Sequence, residues 1–192
     1  MTADPIARFQ RWFTQAKRAG VPLPEAVALA TADARGRPAV RYVLLKQSDG
    51  RGFVFYTNAA SRKGRELRAN ARAALVVYWD AIGKQVRIDG RIIEVAAAEA
   101  DAYWAMRPRE SQLAALASRQ SAPLVSRDVL VARWESLRRK HAHHAVPRPR
   151  GWTGYRLIPD AIEFWTRGDH RLHHRELFVR TRAGWKQRLL QP

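Results

Sequence analysis

Strand-like alternation occupies both ends of this chain and helical periodicity its middle, so the late strands must return to the early ones to share a core, with helices outside. The early strands are expected at Ala26–Thr31, Ala39–Lys46, Phe53–Thr57, Ala73–Trp79 and Gln85–Val95. The late ones are expected at Trp152–Leu157, Ala161–Trp165, Glu176–Arg180 and Trp185–Leu189. Asp33-Ala34-Arg35-Gly36, Ser48-Asp49-Gly50 and Ala183-Gly184 punctuate them as turns, and Gly90 inside a strand suggests a bulge. Helices are expected at Pro5–Ala19, where Ile6, Phe9, Trp12, Phe13 and Ala16 share an apolar face, and at Ser61–Asn70 behind a Ser61 cap. Three more follow at Ala97–Met106, Ser111–Ser118 and Ser126–His141, and the His- and Pro-rich His141–Arg150 reads as the most mobile loop. No repeat or boundary divides residues 1–192, which points to a single mainly β domain with helices (α+β), built on an antiparallel barrel.

Composition removes whole classes of chemistry. Without any cysteine there is no disulfide framework, thiolate nucleophile or Cys-ligated metal, which suits a reducing compartment such as the cytoplasm. A 46% hydrophobic content fills one core without staples. Neither a leader within Met1–Gly20 nor an apolar run of about 18 residues is visible, so neither export nor membrane insertion is expected. The formal net charge of +18 predicts anionic partners, and all but six of the 35 basic residues are Arg, whose planar fork pairs bidentately with phosphate. Nucleic acid and phosphorylated small molecules both answer that charge, but no nucleic-acid motif is present. His141, His143 and His144 suit a solvated turn, and no metal is expected. Trp12, Trp79, Trp104, Trp134 and Trp152 read as core packing.

The segment Arg41–Lys46 carries the most chemistry. Strand alternation puts Arg41, Val43 and Leu45 on one face and Tyr42, Leu44 and Lys46 on the other, so a single strand offers a cation to each side. Shortly after it, Tyr56-Thr57-Asn58 precedes Ser61-Arg62-Lys63 at a helix start, where free N–H groups and two cations suit a phosphate monoester.

In this order and spacing, Arg41–Lys46, Phe55–Asn58 and Ser61–Lys63 resemble the flavin-binding half of the pyridoxine 5′-phosphate oxidases. The resemblance continues through Lys84-Gln85-Val86, Tyr103 with Arg107–Gln112, Ser118–Ser121, Glu163-Phe164-Trp165, Arg171-Leu172-His173 with Arg175, and Trp185–Pro192. It implies an FMN-binding split barrel that forms a homodimer, with about 150–192 contributing to the subunit interface and the flavin lying across it. Carried over by position, it implies FMN contacts from Arg41, Tyr42, Val43, Leu44, Leu45, Lys46, Tyr56, Thr57, Arg62 and Lys63, the phosphate lying near Thr57, Arg62 and Lys63. Gln85 would meet the isoalloxazine edge, and Gln120, Ser121, Trp165 and Arg175 would add contacts from different subunits. Lys46, Tyr103, Arg107 and Ser111 would hold a substrate phosphate, with Tyr103 and Arg107 as an i,i+4 pair on one helix face. Arg171, Leu172 and His173 would close over the pyridine ring, Arg171 and His173 being the catalytic candidates, first as placing groups. The implied reaction oxidises pyridoxine and pyridoxamine 5′-phosphates to pyridoxal 5′-phosphate, with O2 as acceptor and H2O2 as product.

Two departures stand out. Where the family commonly has Arg-Leu-His-Asp-Arg, this chain has Arg171-Leu172-His173-His174-Arg175, which puts substrate preference in question more than flavin binding. Few residues precede Ile6 to cover a site. The nearest rival is a same-fold flavin oxidase acting on a phenazine precursor, against which Tyr103, Arg107 and Ser111 argue. From another class, the rival is a non-catalytic pyridoxal phosphate or polyanion binder.

Overall fold

The structure, a computed structural model, describes residues 4–192; of the stretch read for a leader, Met1–Ala3 lie outside the described residues. The elements run α1 (Pro5–Arg18), β1 (Ala26–Ala32), β2 (Pro38–Asp49), β3 (Gly52–Asn58), α2 (Arg62–Ala69), β4 (Arg72–Trp79) and β5 (Lys84–Glu94). Then come α3 (Ala97–Met106), α4 (Arg109–Ala117), α5 (Arg127–Lys140), β6 (Trp152–Thr166), β7 (His174–Thr181) and β8 (Gly184–Leu190).

Strands β3-β2-β1-β4-β5-β6 are antiparallel neighbours, and β6 returns to β3 to close a six-stranded barrel. Inward residues such as Leu29, Phe53, Phe55, Leu75, Val86 and Ile162 fill it, the alternation expected of strands with one face on a core. Helix α1, capped by Asp4 Oδ1 accepting from Ile6 N at 2.9 Å, packs Phe9 edge-on to Phe53 with ring centroids 5.0 Å apart. Among the described residues, no helix is long and apolar enough to cross a membrane.

Where two strands were expected, Trp152–Leu157 and Ala161–Trp165, the chain forms one 15-residue strand, β6. Its first half pairs with β3 through Leu157 and its second half with β7 from Ala161 onward. Pro159, which lacks an N–H, sits where that edge changes partner, so the ladder loses little there while β5 pairs with β6 from Tyr155 to Thr166 on the other edge. The bulge suggested by Gly90 is present: Asp89 pairs with Ala161 and Gly90 with Pro159, leaving Asp160 as the extra residue on β6. A second bulge falls on the strand of greatest interest. Leu45 faces Phe55 and Gln47 faces Val54, so Lys46 is the extra residue of β2.

The segment His141–Arg150, expected to be the most mobile loop, is tied down instead. Val146 is buried and its carbonyl accepts from Trp104 Nε1 at 2.8 Å, while Arg148 reaches Asp101 at 2.5 Å and the Trp152 carbonyl at 2.7 Å. Proline-rich sequence read as freedom is here a strap over α3 and the start of β6.

Candidate active site

Three short elements converge on a cation cluster at the barrel end. The Ser61 side chain caps α2, accepting from Gly64 N at 3.3 Å, and thereby places Arg62 and Lys63 in the first turn. Lys63 Nζ donates to Thr57 Oγ1 at 3.1 Å, and Thr57 Oγ1 donates to Gln120 Oε1 at 3.0 Å. Arg41, Arg62, Lys63, Gln120 and Ser121 line one cavity of about 400 Å³. Burial, reinforced by the Arg41 charge, holds the Lys63 ammonium below its ordinary pKa.

Glu66 organises this cluster and was not singled out from the sequence. Its Oε2 accepts from Arg41 at 3.0 Å and from Thr31, and its Oε1 from Arg62 at 2.7 Å. Burial alone would raise its pKa, yet the bonds from Thr31, Arg62 and Arg41 hold it below the usual carboxylate range. An acid four residues after Arg62 reads as a surface pair; the Thr31 and Arg41 partners come only from the fold. On β2, Arg41, Val43 and Leu45 turn inward and Tyr42, Leu44 and Lys46 outward, as expected. Pairing with β3 begins only at Leu45, which leaves the Tyr42–Leu44 main chain without a strand neighbour on that edge.

A second cavity, of about 490 Å³, includes Tyr56, Thr57, Arg107, Ser111, Gln120 and Trp152, so Gln120 borders both. Tyr103 and Arg107 do not form a pair on one helix face as expected. Helix α3 ends at Met106, and Arg107 is an extended cap residue, held out of the helical region by Pro108. Tyr103 stacks on Tyr56 at 4.0 Å, and Arg107 lies 5.0 Å over the Trp152 ring. Arg107 Nη2 donates to the Ser111 carbonyl at 3.1 Å, while its shielded Nε donates to no acceptor among the described residues. Burial lowers the Arg107 pKa and raises that of Tyr103; it also pushes the Tyr56 phenol up to about 12. Lys46 does not line this cavity but a separate hollow with Glu25, whose charge also bears on Tyr103.

The remaining candidates gather elsewhere in the same chain. Gln85 pairs with Trp165 and Trp165 with Arg175 across β5, β6 and β7, and Trp165 lies 4.5 Å from the His173 ring. Buried Glu163, quoted above only as part of a motif, accepts from Arg175 Nε at 2.8 Å and Arg87 Nη1 at 3.2 Å. Arg171 has φ 66° and Ser121 φ 71°, left-handed values costing roughly 1–3 kcal/mol each in a non-glycine residue, a strain typical of ligand sites. Leu172 is exposed. His174 opens β7 one residue from Arg175 and so faces the opposite side of the sheet. Its Nε2 is 3.2 Å from Glu176, which also accepts from Arg8 and, at 2.6 Å, from Gln187 Nε2. The departure at 174 therefore bears on the contact between β7 and α1 rather than on the His173 ring.

The family model described as pyridoxamine 5′-phosphate oxidase matches residues 13–141, and that of the pyridoxine 5′-phosphate oxidase C-terminal dimerisation region matches residues 152–192. The pyridoxine/pyridoxamine 5′-phosphate oxidase of Rubrobacter xylanophilus is 51% identical over 98% of this chain and 87% of its own length. The crystal structure of PhzG from Burkholderia lata 383 in complex with tetrahydrophenazine-1-carboxylic acid superposes with a TM-score of 0.94 at 38% identity, covering 98% of this chain and 93% of that one. A pyridoxamine 5′-phosphate oxidase-related, FMN binding protein from Nostoc punctiforme PCC 73102 shares the fold, with a TM-score of 0.81 at 16% identity over 100% of both chains. Barrel, motif order and near-complete coverage agree: the chain belongs to the pyridoxamine 5′-phosphate oxidase family.

Proposed function

We propose that the protein is an FMN-dependent oxidase that converts pyridoxine 5′-phosphate and pyridoxamine 5′-phosphate to pyridoxal 5′-phosphate, working as a homodimer in the cytoplasm. The observation that carries this reading is Arg107. A half-buried guanidinium whose Nε is unpaired and which has no carboxylate beside it among the described residues favours an anionic ligand, and Tyr103 and Ser111 add hydroxyl groups near it.

The Arg41, Arg62 and Lys63 cluster fits the FMN phosphate: three cations against one carboxylate leave the surplus that a dianion neutralises. FMN supplies hydride acceptance from the substrate's C4′ carbon and reoxidation by O2 to H2O2. Thr57 and Gln120 would orient the phosphate end, and the open β2 edge from Tyr42 to Leu44 would meet the flavin chain with main-chain groups. Gln85, Trp165 and Arg175 would come from the partner, with Arg171 and His173 placing C4′ over the ring, Leu172 between them. The dimer reading draws on the exposed outer face of the sheet, where Val40 is 70% and Tyr42 77% exposed beside Leu44 and Tyr78, and on the dimerisation region matched at 152–192.

Replacing Lys63 by Met is expected to weaken FMN about 30-fold, roughly 2 kcal/mol, while riboflavin, which lacks the phosphate, loses less than about twofold. Because Lys63 is desolvated and repelled by Arg41, the flavin-free variant should melt no lower than the wild type. Flavin fluorescence quenching and thermal melts check both. The rival substrate class is tested by steady-state peroxide release with pyridoxine 5′-phosphate against a reduced phenazine carboxylic acid. Turnover of the phosphorylated vitamer alone supports the reading, and turnover of the phenazine alone replaces it.

A further inference from the structure

We infer that Trp152 is a positioning residue for substrate-phosphate selectivity, holding Arg107 as a desolvated, unneutralised cation; this rests on the reading of Arg107 as a phosphate ligand given above.

Arginine is abundant in this chain, yet the shielded guanidinium groups are mostly neutralised. Arg8 meets Glu176, Arg41 meets Glu66, Arg156 meets Asp49 and Glu99, and Arg175 meets Glu163. Arg107 meets no carboxylate among the described residues. Its plane is held by π faces instead, 5.0 Å over Trp152 and 5.7 Å over Trp104. A carboxylate in that place would compete with an incoming dianion; an aromatic face stabilises the cation and leaves its charge available.

The Trp152 ring is fixed from several directions. It is 4% exposed, parallel to Tyr56 within 8° at 5.2 Å and to Tyr103 within 6° at 6.1 Å, and it meets Trp104 edge-on at 4.8 Å. Strand pairing builds this platform, because Asn58 on β3 faces Trp152 and Tyr56 faces Gly154. A Cβ at Gly154 would stand 2.7 Å from the Tyr56 ring, so glycine there lets that ring lie flat against the stack. Trp152 thus stacks in line with the Tyr56 and Tyr103 rings and carries the Arg107 guanidinium beside the cavity, one support for both.

The test compares pyridoxal 5′-phosphate with pyridoxal as ligands of the FMN-loaded protein, read by quenching of flavin fluorescence. In the wild type the phosphorylated ligand is expected to bind at least 100-fold tighter. Trp152→Leu should reduce that preference about tenfold by weakening the phosphorylated ligand more than pyridoxal; Trp152→Phe, which keeps a π face, should restore most of it. Turnover should repeat the pattern, KM for pyridoxine 5′-phosphate rising while kcat stays within twofold. If the wild type makes no distinction between the two ligands, the phosphate pocket and this inference both fall. If it does distinguish them and Trp152→Leu keeps the ratio, or loses both ligands equally, only the role of Trp152 is overturned. Should Trp152→Leu not fold, Trp152→Phe against Trp152→Tyr decides: equal preference in both, within threefold of wild type, supports the inference, and a preference lost in both contradicts it.

Discussion

Arg107→Ala is expected to lower kcat/KM for pyridoxine 5′-phosphate by two to three orders of magnitude and to change that for free pyridoxine less than about threefold. Two charge-assisted hydrogen bonds to a phosphate contribute about 4 kcal/mol together, roughly 10³-fold. The variant should cost the fold little, because the lost bond to the Ser111 carbonyl and the lost contacts with the Trp152 and Trp104 rings are offset by relief of an unpaired Nε and a desolvated charge. A melting temperature within about 2 °C of the wild type is therefore expected. Arg107→Lys restores the charge without the fork and should recover about one order of magnitude. Steady-state kinetics on the vitamer pair check this, and an equal loss on both substrates would mean that Arg107 serves the ring or the flavin instead of the phosphate.

Gly90→Ala is expected to cost the fold about 3 kcal/mol or more, a fall in melting temperature of roughly 6–12 °C. A Cβ at Gly90 would stand 2.1 Å from the Ile158 carbonyl oxygen and 2.9 Å from Pro159 Cα, both main-chain atoms of the neighbouring strand. Neither can rotate aside, so β5 and β6 would have to part at the bulge where β6 exchanges β3 for β7. That junction carries the outer hairpin bearing Arg175, so FMN affinity should fall together with the melting temperature. A variant that melts within about 2 °C of the wild type would show that the bulge relaxes freely.

The strands, the order of the helices and the cap at Ser61 were legible because each leaves a local trace: alternation, a turn residue, a hydroxyl before a helix. The continuity of β6 was not, since Pro159-Asp160 has the composition of a break and only the exchange of partners across it explains a strand there. Arg107 falls outside the helix it was expected to share with Tyr103, because their spacing suggested one helix face and Pro108 prevents it. Glu66 and Glu163 were missed as organisers for a common reason. Their partners, Thr31 and Arg41 for one and Arg87 for the other, lie far away in sequence and meet them only through strand and helix packing. Trp152 was read as bulk core, which its burial supports, but the ring contacts that give it a further part have no sequence signature. The resemblance supplied the list of site residues; the fold supplied which of them share a chain-local cluster. Gln120 and Ser121 join Arg41, Arg62 and Lys63 around one cavity, while Gln85 and Trp165 lie apart with Arg175.

The most direct measurement is the visible spectrum of the FMN-loaded protein mixed with pyridoxine 5′-phosphate in the absence of oxygen, followed by admission of air and assay for pyridoxal 5′-phosphate. Bleaching of the flavin band, its recovery in air and product equal to the bound flavin are the expected result. A flavin that binds and stays oxidised with both the pyridoxine and the pyridoxamine phosphates would contradict the proposed reaction and leave only the family and the fold standing.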